Sequence, residues 1–274
     1  MRIERVLAIC LFAGAVAFAQ QQGAAPASQG QGGRGGGANN LNAGGLPRIL
    51  GPQPPVVDPG GPGKPPSDAI VLFNGRDMTG WTQLDGKPAR CTVADAVMTC
   101  RTGVGDIITT EKYRNAEIHV EFNLPNMPNE KGQARANSGI LLQGRTEIQV
   151  LDVYNNPTYN TGEFTGGTGS NGPLVNAARP PEQWQSYDIV FHAAKCAADG
   201  TVQEPGSVTL LWNGVLVQDH TPIRGRGCVS EGPLGIQDHS MYVGRKINIS
   251  PGVDGPAPDT TLKFRNIWMR RLPD

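Results

Sequence analysis

AEIHVEFNL, residues 116–124, decides the fold. Side chains alternate faces along a strand, so Ile118, Val120 and Phe122 share one side while Glu117, His119 and Glu121 share the other. The segment therefore predicts a strand with one packed face and one polar face. Such a polar face suits either water or a ligand made mostly of hydroxyls.

Working outward, helical periodicity is nearly absent. Short runs rich in Val, Ile, Phe and Trp recur instead between Gly, Pro, Asn and Asp. They are AIVLF (69–73), CTV (91–93), VMTC (97–100), SGILLQG (138–144), TEIQVLDVY (146–154), SYDIVFHA (186–193), VTLLWNGVLVQD (208–219), GPLGIQDH (232–239) and TLKFRNIWMRRL (261–272). Asn213-Gly214 between two apolar stretches is a hairpin signal. No repeat at a solenoid or propeller period is found. The pattern predicts an all-β sandwich or jelly roll.

The flanks have a different composition. Arg2 and Arg5, the apolar run VLAICLFAGAVAF and Ala17-Phe18-Ala19 read as a signal peptide over 1–19. Residues 20–66 are rich in Gly, Gln, Ala and Pro, and read as a disordered linker that cannot bury a core. Residues 67–274 remain as one β-sandwich domain. The formal net charge is zero. With no basic run and no amphipathic helix, neither nucleic acid nor membrane insertion after signal cleavage is expected. The expected location is periplasmic or secreted.

Four cysteines follow the signal peptide: Cys91, Cys100, Cys196 and Cys228. An even number in an exported chain favours disulfides, and no C-x₂-C spacing points to zinc. In RCTVADAVMTC a two-residue turn at Asp95-Ala96 pairs Val93 with Met98 and sets Cys91 opposite Cys100. Directly opposed residues are roughly 4.5–5.5 Å apart at Cα, within disulfide range. Cys91–Cys100 is the expected bridge, and Cys196–Cys228 follows by elimination.

In TEIQVLD, Glu147 and Gln149 share a face opposite Ile148 and Val150. Strict alternation turns Asp152 away from Glu147, unless a β-bulge brings it round; otherwise it is a strand-end turn residue. Gln237 and His239 lie together in GIQDH. His239 titrates near working pH and fits acid/base work, with neighbouring Asp238 as its orienting group; its plainer role is to cap a strand. His119 with Glu117 and Glu121 can hold a divalent ion, or is simply a solvated strand face. Asn137 can contact hydroxyls or form a turn. Arg265 can balance a buried carboxylate or lie along an edge. Trp184 is either a stacking platform or core. E-I-Q-V-L-D superficially imitates the E-x-D-x-x-E strand of retaining glucanases. However, Gln149 occupies the central acid position and cannot share a proton with its neighbours.

Six segments now fall in order: LFNGRDMTGW (72–81), NSGILLQGRTEIQVLD (137–152), PLVNAARPPEQWQSYDIVFHA (173–193), WNGVLVQD (212–219), GPLGIQDH (232–239) and KFRNIWMRRL (263–272). Together they resemble the 3-keto-disaccharide hydrolase family, over essentially all of 68–274. The resemblance implies a concanavalin-A-like β-sandwich of two curved antiparallel sheets, with sugar chemistry on the concave face. It also implies a partner 3-dehydrogenase that oxidises the sugar at C3, so that a base removes the acidified C2 hydrogen and the aglycone leaves C1. Water addition then gives net hydrolysis. Glu147 or His239 would be the base, and Arg265 a stabiliser of the enolate oxygen. Gln149, Asn137, Glu121, Asp152, Gln237, Asp238, His119 and Trp184 would contact substrate, with a divalent metal as an open option.

Two departures stand out. TGEFTGGTGSNG (161–172) has Thr165 where the family commonly has tyrosine, and residues 240–263 carry an insertion before the last strand. A non-catalytic lectin-like module and a direct glucanase are the rival readings.

Overall fold

A computed structural model describes residues 54–61, 64–156, 168, 171–239 and 260–274, and the backbone alone of 247–250 and 253–255. The expected signal peptide, most of the linker, Thr165 and most of the 240–263 insertion lie outside the described residues. In chain order the strands are β1 Ile70–Val71, β2 Trp81–Gln83, β3 Thr92–Ala94, β4 Val97–Arg101, β5 Ile107–Tyr113 and β6 Ala116–Asn123. Next come β7 Ser138–Leu142, β8 Thr146–Val150, β9 Trp184–His192, β10 Lys195–Cys196, β11 Val202–Glu204 and β12 Gly206–Trp212. The set ends with β13 Val215–Ile223, β14 Gly232–Ile236, β15 Ile247–Ser250, β16 Val253–Gly255 and β17 Thr261–Arg271.

Two antiparallel sheets form the sandwich. One has eight strands in the order β13-β12-β9-β6-β17-β4-β3, with β1 also paired to β17. The other has five, in the order β2-β5-β14-β7-β8. The packed faces are the apolar sides of the alternating strands. Ile118, Val120 and Phe122 of β6, with Tyr187, Ile189 and Phe191 of β9, are buried from the larger sheet. Ile140, Leu142, Ile148, Val150, Leu234 and Ile236 are buried from the smaller one. Each such side chain contributes about 1.5–3 kcal/mol by leaving water. Two contacts lock the sheets together. Tyr113 of β5 meets Phe191 edge-on at 5.9 Å, and the Tyr187 hydroxyl donates to the Gln149 carbonyl at 2.7 Å.

The hairpins follow local chemistry. Asp95 and Ala96 both take positive φ, and Val93 faces Met98 across the turn. Asn213 and Gly214 do the same between β12 and β13. Both disulfides are present: Cys91–Cys100, with Cα atoms 4.5 Å apart, and Cys196–Cys228, at 6.1 Å.

β5 lies inside the five-stranded sheet, yet its sequence, IITTEKY, does not read as a strand. Its core-facing positions include Thr109, so the apolar period is broken. Buried Thr109 has a specific task. Its hydroxyl donates to the Glu111 carbonyl and accepts the Leu234 amide, beside a register shift in the β5–β14 ladder. Two expected strands also end early. β8 stops at Val150 and β14 at Ile236, and the polar residues that follow turn into the site.

Candidate functional site on the five-stranded sheet

Register places the polar residues. Gln149 of β8 faces Gly139 of β7, and Glu147 faces Leu141. On the other side of β7, Gly235 faces Leu141, and the Gln237 amide donates to the Gly139 carbonyl at 2.9 Å. Because Ile140, Ile148 and Ile236 point into the core, residues 139, 147, 149 and 237 lie on the outer face. Gly139 is the centre of this row. A Cβ added there would come within 2.7 Å of Glu147 Cγ and 2.8 Å of its Oε1. The Glu147 side chain therefore lies across the glycine, between Gln149 and Gln237.

The amides around it are fixed from below. A 3₁₀ turn at Gly132–Ala134 presents buried Gln133. Asn137 donates through Nδ2 to the Gln133 carbonyl at 2.9 Å and to Gln133 Oε1 at 2.8 Å, and Gln149 Nε2 donates to that same Oε1 at 3.3 Å. Asn156 braces the turn, accepting the Gly132 amide and donating to the Gly132 and Asp152 carbonyls. Among the described residues, the side-chain oxygens Asn137 Oδ1, Gln149 Oε1 and Gln237 Oε1 remain buried and without a hydrogen-bond partner. Buried acceptors left unmet cost about 1–3 kcal/mol each. Three on one face identify a place built to take donors. Gln133 gave no sequence signal, because it sits in a loop without periodicity.

His239 lines a small pocket at the end of the sandwich together with Asn137 and Gln237. Burial pushes its imidazole down to about 4, with the Asp238 charge pulling the other way. The ring is thus neutral at pH 7. Asp238, whose charge acts on the His239 ring, also has a structural job. Its carboxylate accepts the amides of Gly103 and Gly105 and so pins the loop beyond β4. At Asp152 the strand has already ended, and the buried carboxylate pairs with Arg135 at 2.7 Å while accepting the Tyr154 amide. Burial outweighs these partners and raises its pKa. It supports the Gln133 turn from behind.

Four other expected site residues lie elsewhere. Glu121 and His119 of β6, Trp184 of β9 and Arg265 of β17 project from the outer face of the eight-stranded sheet, the side of the sandwich away from Glu147. A register shift near Asn266, whose φ is +48°, turns both Arg265 and Asn266 outward. Arg265 Nε and Asn266 Nδ2 then hold the Glu121 carboxylate at 2.6 and 2.9 Å. Burial opposes ionisation of Glu121, but these donors prevail and keep its pKa low. The Arg265 guanidinium also covers the Trp184 ring at 4.0 Å. His119 pairs with Asp188 at 2.6 Å and stacks on Trp268. Arg265 is therefore a partner of Glu121 rather than a companion of Glu147. Among the described residues no group of three or more His, Cys, Asp or Glu side chains is arranged to hold a metal ion.

The fold is thus a two-sheet antiparallel sandwich with hydrogen-bonding side chains gathered on the outer face of its five-stranded sheet. The chain belongs to the family of 3-keto-alpha-glucoside-1,2-lyase-like domains, whose pattern matches residues 68–270. A crystal structure from Parabacteroides distasonis ATCC 8503, provisionally described as a glycosyl hydrolase, is 36% identical. That alignment covers 85% of this chain and 99% of the other, with a TM-score of 0.73. A second structure from the same organism, under the same description, is 19% identical over 75% of this chain and 94% of its own. Its TM-score of 0.50 reflects a shared fold. No curated protein matches the chain.

Proposed function

We propose that the protein cleaves the glycosidic bond of 3-keto-glycosides by removing the C2 hydrogen and expelling the C1 substituent. The observation that carries this reading is the Glu147 carboxylate laid across Gly139, flanked by the unmet amide oxygens of Gln149 and Gln237. Membership of the 3-keto-alpha-glucoside-1,2-lyase-like family supports the choice of substrate class.

The C3 ketone acidifies the C2 hydrogen. Glu147 takes that proton, and the C–H electron pair moves onto the ketone oxygen as an enolate. As the ketone re-forms, the electrons make a C1=C2 double bond and the C1–O bond to the aglycone breaks. The leaving oxygen takes a proton, and water adding across the double bond gives net hydrolysis. The enolate oxygen needs a donor close by. Arg265 is on the wrong sheet, whereas the neutral His239 ring offers an N–H without carrying charge. The amide oxygens of Asn137, Gln149 and Gln237 receive the remaining sugar hydroxyls.

The ketone must be made first, so an oxidoreductase acting at the sugar C3 hydroxyl is the upstream partner. We place the protein outside the cytoplasm, in the periplasm or secreted. Two disulfides are compatible with that, and no helix among the described residues is long and apolar enough to cross a membrane.

The test is turnover of chemically prepared 3-keto-glucosides in deuterated water. Deuterium at C2 of the hydrated product is expected. Glu147→Gln should stay folded and lose about 10²–10⁴-fold in kcat, while Glu121→Gln, on the far face, should keep kcat within about twofold. Release of sugar from unoxidised glycoside would indicate a direct glycosidase. Binding of unoxidised sugar without any turnover of the keto-sugar would indicate a lectin-like module.

A further inference from the structure

Gln133 is placed to do more than fill space. An amide side chain can present either its oxygen or its NH₂ to a ligand, and the choice is made by whatever holds the other end. Here a single oxygen, Gln133 Oε1, takes donors from both Asn137 Nδ2 and Gln149 Nε2. Asn137 Nδ2 has a second acceptor in the Gln133 main-chain carbonyl. The NH₂ groups of both amides are thus turned toward the 3₁₀ turn. Their oxygens, both on residues more than nine-tenths buried, are left without a donor among the described residues. The turn itself is clamped by Asn156 and by the Arg135–Asp152 pair, so Gln133 is not free to swing away.

We propose that Gln133 is a positioning residue that locks Asn137 and Gln149 as acceptors, making this part of the site selective for groups that donate hydrogen bonds. Sugar hydroxyls qualify. A carboxylate at the same place, as in a uronic acid, would set acceptor against acceptor with no donor between them. This deepens the sugar-site reading and rests on it for the identity of the ligand.

The experiment has two arms. The first follows side-chain amide hydrogen exchange by ¹⁵N NMR in the protein alone. Asn137 and Gln149 NH₂ groups should exchange at least tenfold more slowly than exposed amides, and Gln133→Met should abolish that protection. The second measures turnover of methyl 3-keto-α-glucoside and its uronic-acid counterpart. Gln133→Met should raise KM for the neutral sugar about tenfold, the cost of two misdirected hydrogen bonds, with kcat within about threefold. The gap in kcat/KM between neutral and acidic sugar should narrow in the same variant. Gln133→Glu retains the acceptor oxygens and should restore amide protection, which also serves if the Met variant does not fold. Rapid exchange of both amides in the wild type, or protection and KM unchanged by Gln133→Met, would overturn the proposal. If the wild type fails to turn over the keto-sugar while Gln133→Met still releases the amides, the sugar chemistry fails and the positioning role stands.

Discussion

His239 and Glu121 are both partly buried titratable groups, yet their surroundings push them in opposite ways. Glu121 stays ionised because Asn266 and Arg265 donate to it. His239 faces burial first, with the Asp238 charge acting the other way, and falls from 6.5 to about 4. The unfolded chain therefore binds a proton on this ring between pH 6.5 and 4, while the folded chain does not. The associated stability is fully present above pH 6.5 and is lost as pH falls toward 4. Over the full interval the shift corresponds to about 3 kcal/mol. Urea unfolding at pH 7 and pH 4.5 should show this loss in the wild type and a smaller one in His239→Gln. Equal losses in both proteins would mean that the ring is already protonated in the fold.

At the scale of the element, β7 matters through what it lacks. Gly139 has no side chain, and the space is taken by Glu147 from the neighbouring strand. Gly139→Ala would drive a methyl group into Glu147 Cγ. The predicted result is a loss of at least about tenfold in kcat, since small misplacements of a reacting group are costly, with the melting temperature changed by only a few degrees. An unchanged kcat would mean that Glu147 works from another position. β5 shows the limit of periodicity at this scale. Thr109 stands where an apolar residue would mark a strand, because its hydroxyl supplies the Leu234 amide where the ladder slips. Hydrophobic alternation does not register a polar side chain that acts as a piece of backbone.

For the whole molecule, two covalent ties hold short and long loops. Cys91–Cys100 closes a separation of 9 residues and Cys196–Cys228 one of 32. On the chain-entropy account, removing them costs about 2.6 and 3.7 kcal/mol respectively. Paired Cys→Ser variants in denaturant should rank in that order, with turnover of keto-glycoside at 25 °C retained wherever the fold persists. The reverse ranking would point to strain or residual structure rather than loop closure.

The existence of most strands other than β5, their face polarity and the Cys91–Cys100 pairing were local matters, legible because a strand repeats every two residues and a tight turn fixes its own register. Alternation alone assigns Glu121 and Glu147 the same property, an outward carboxylate on a half-buried strand. Which sheet each strand joins is set by packing between segments far apart in the chain, and it sent Glu121 with His119, Trp184 and Arg265 to one side and Glu147 with Gln149 to the other. Gln133 entered the site the same way, through a loop that only the folded chain brings beneath Asn137 and Gln149. Periodicity determined which way side chains point; only tertiary packing decided which of them meet.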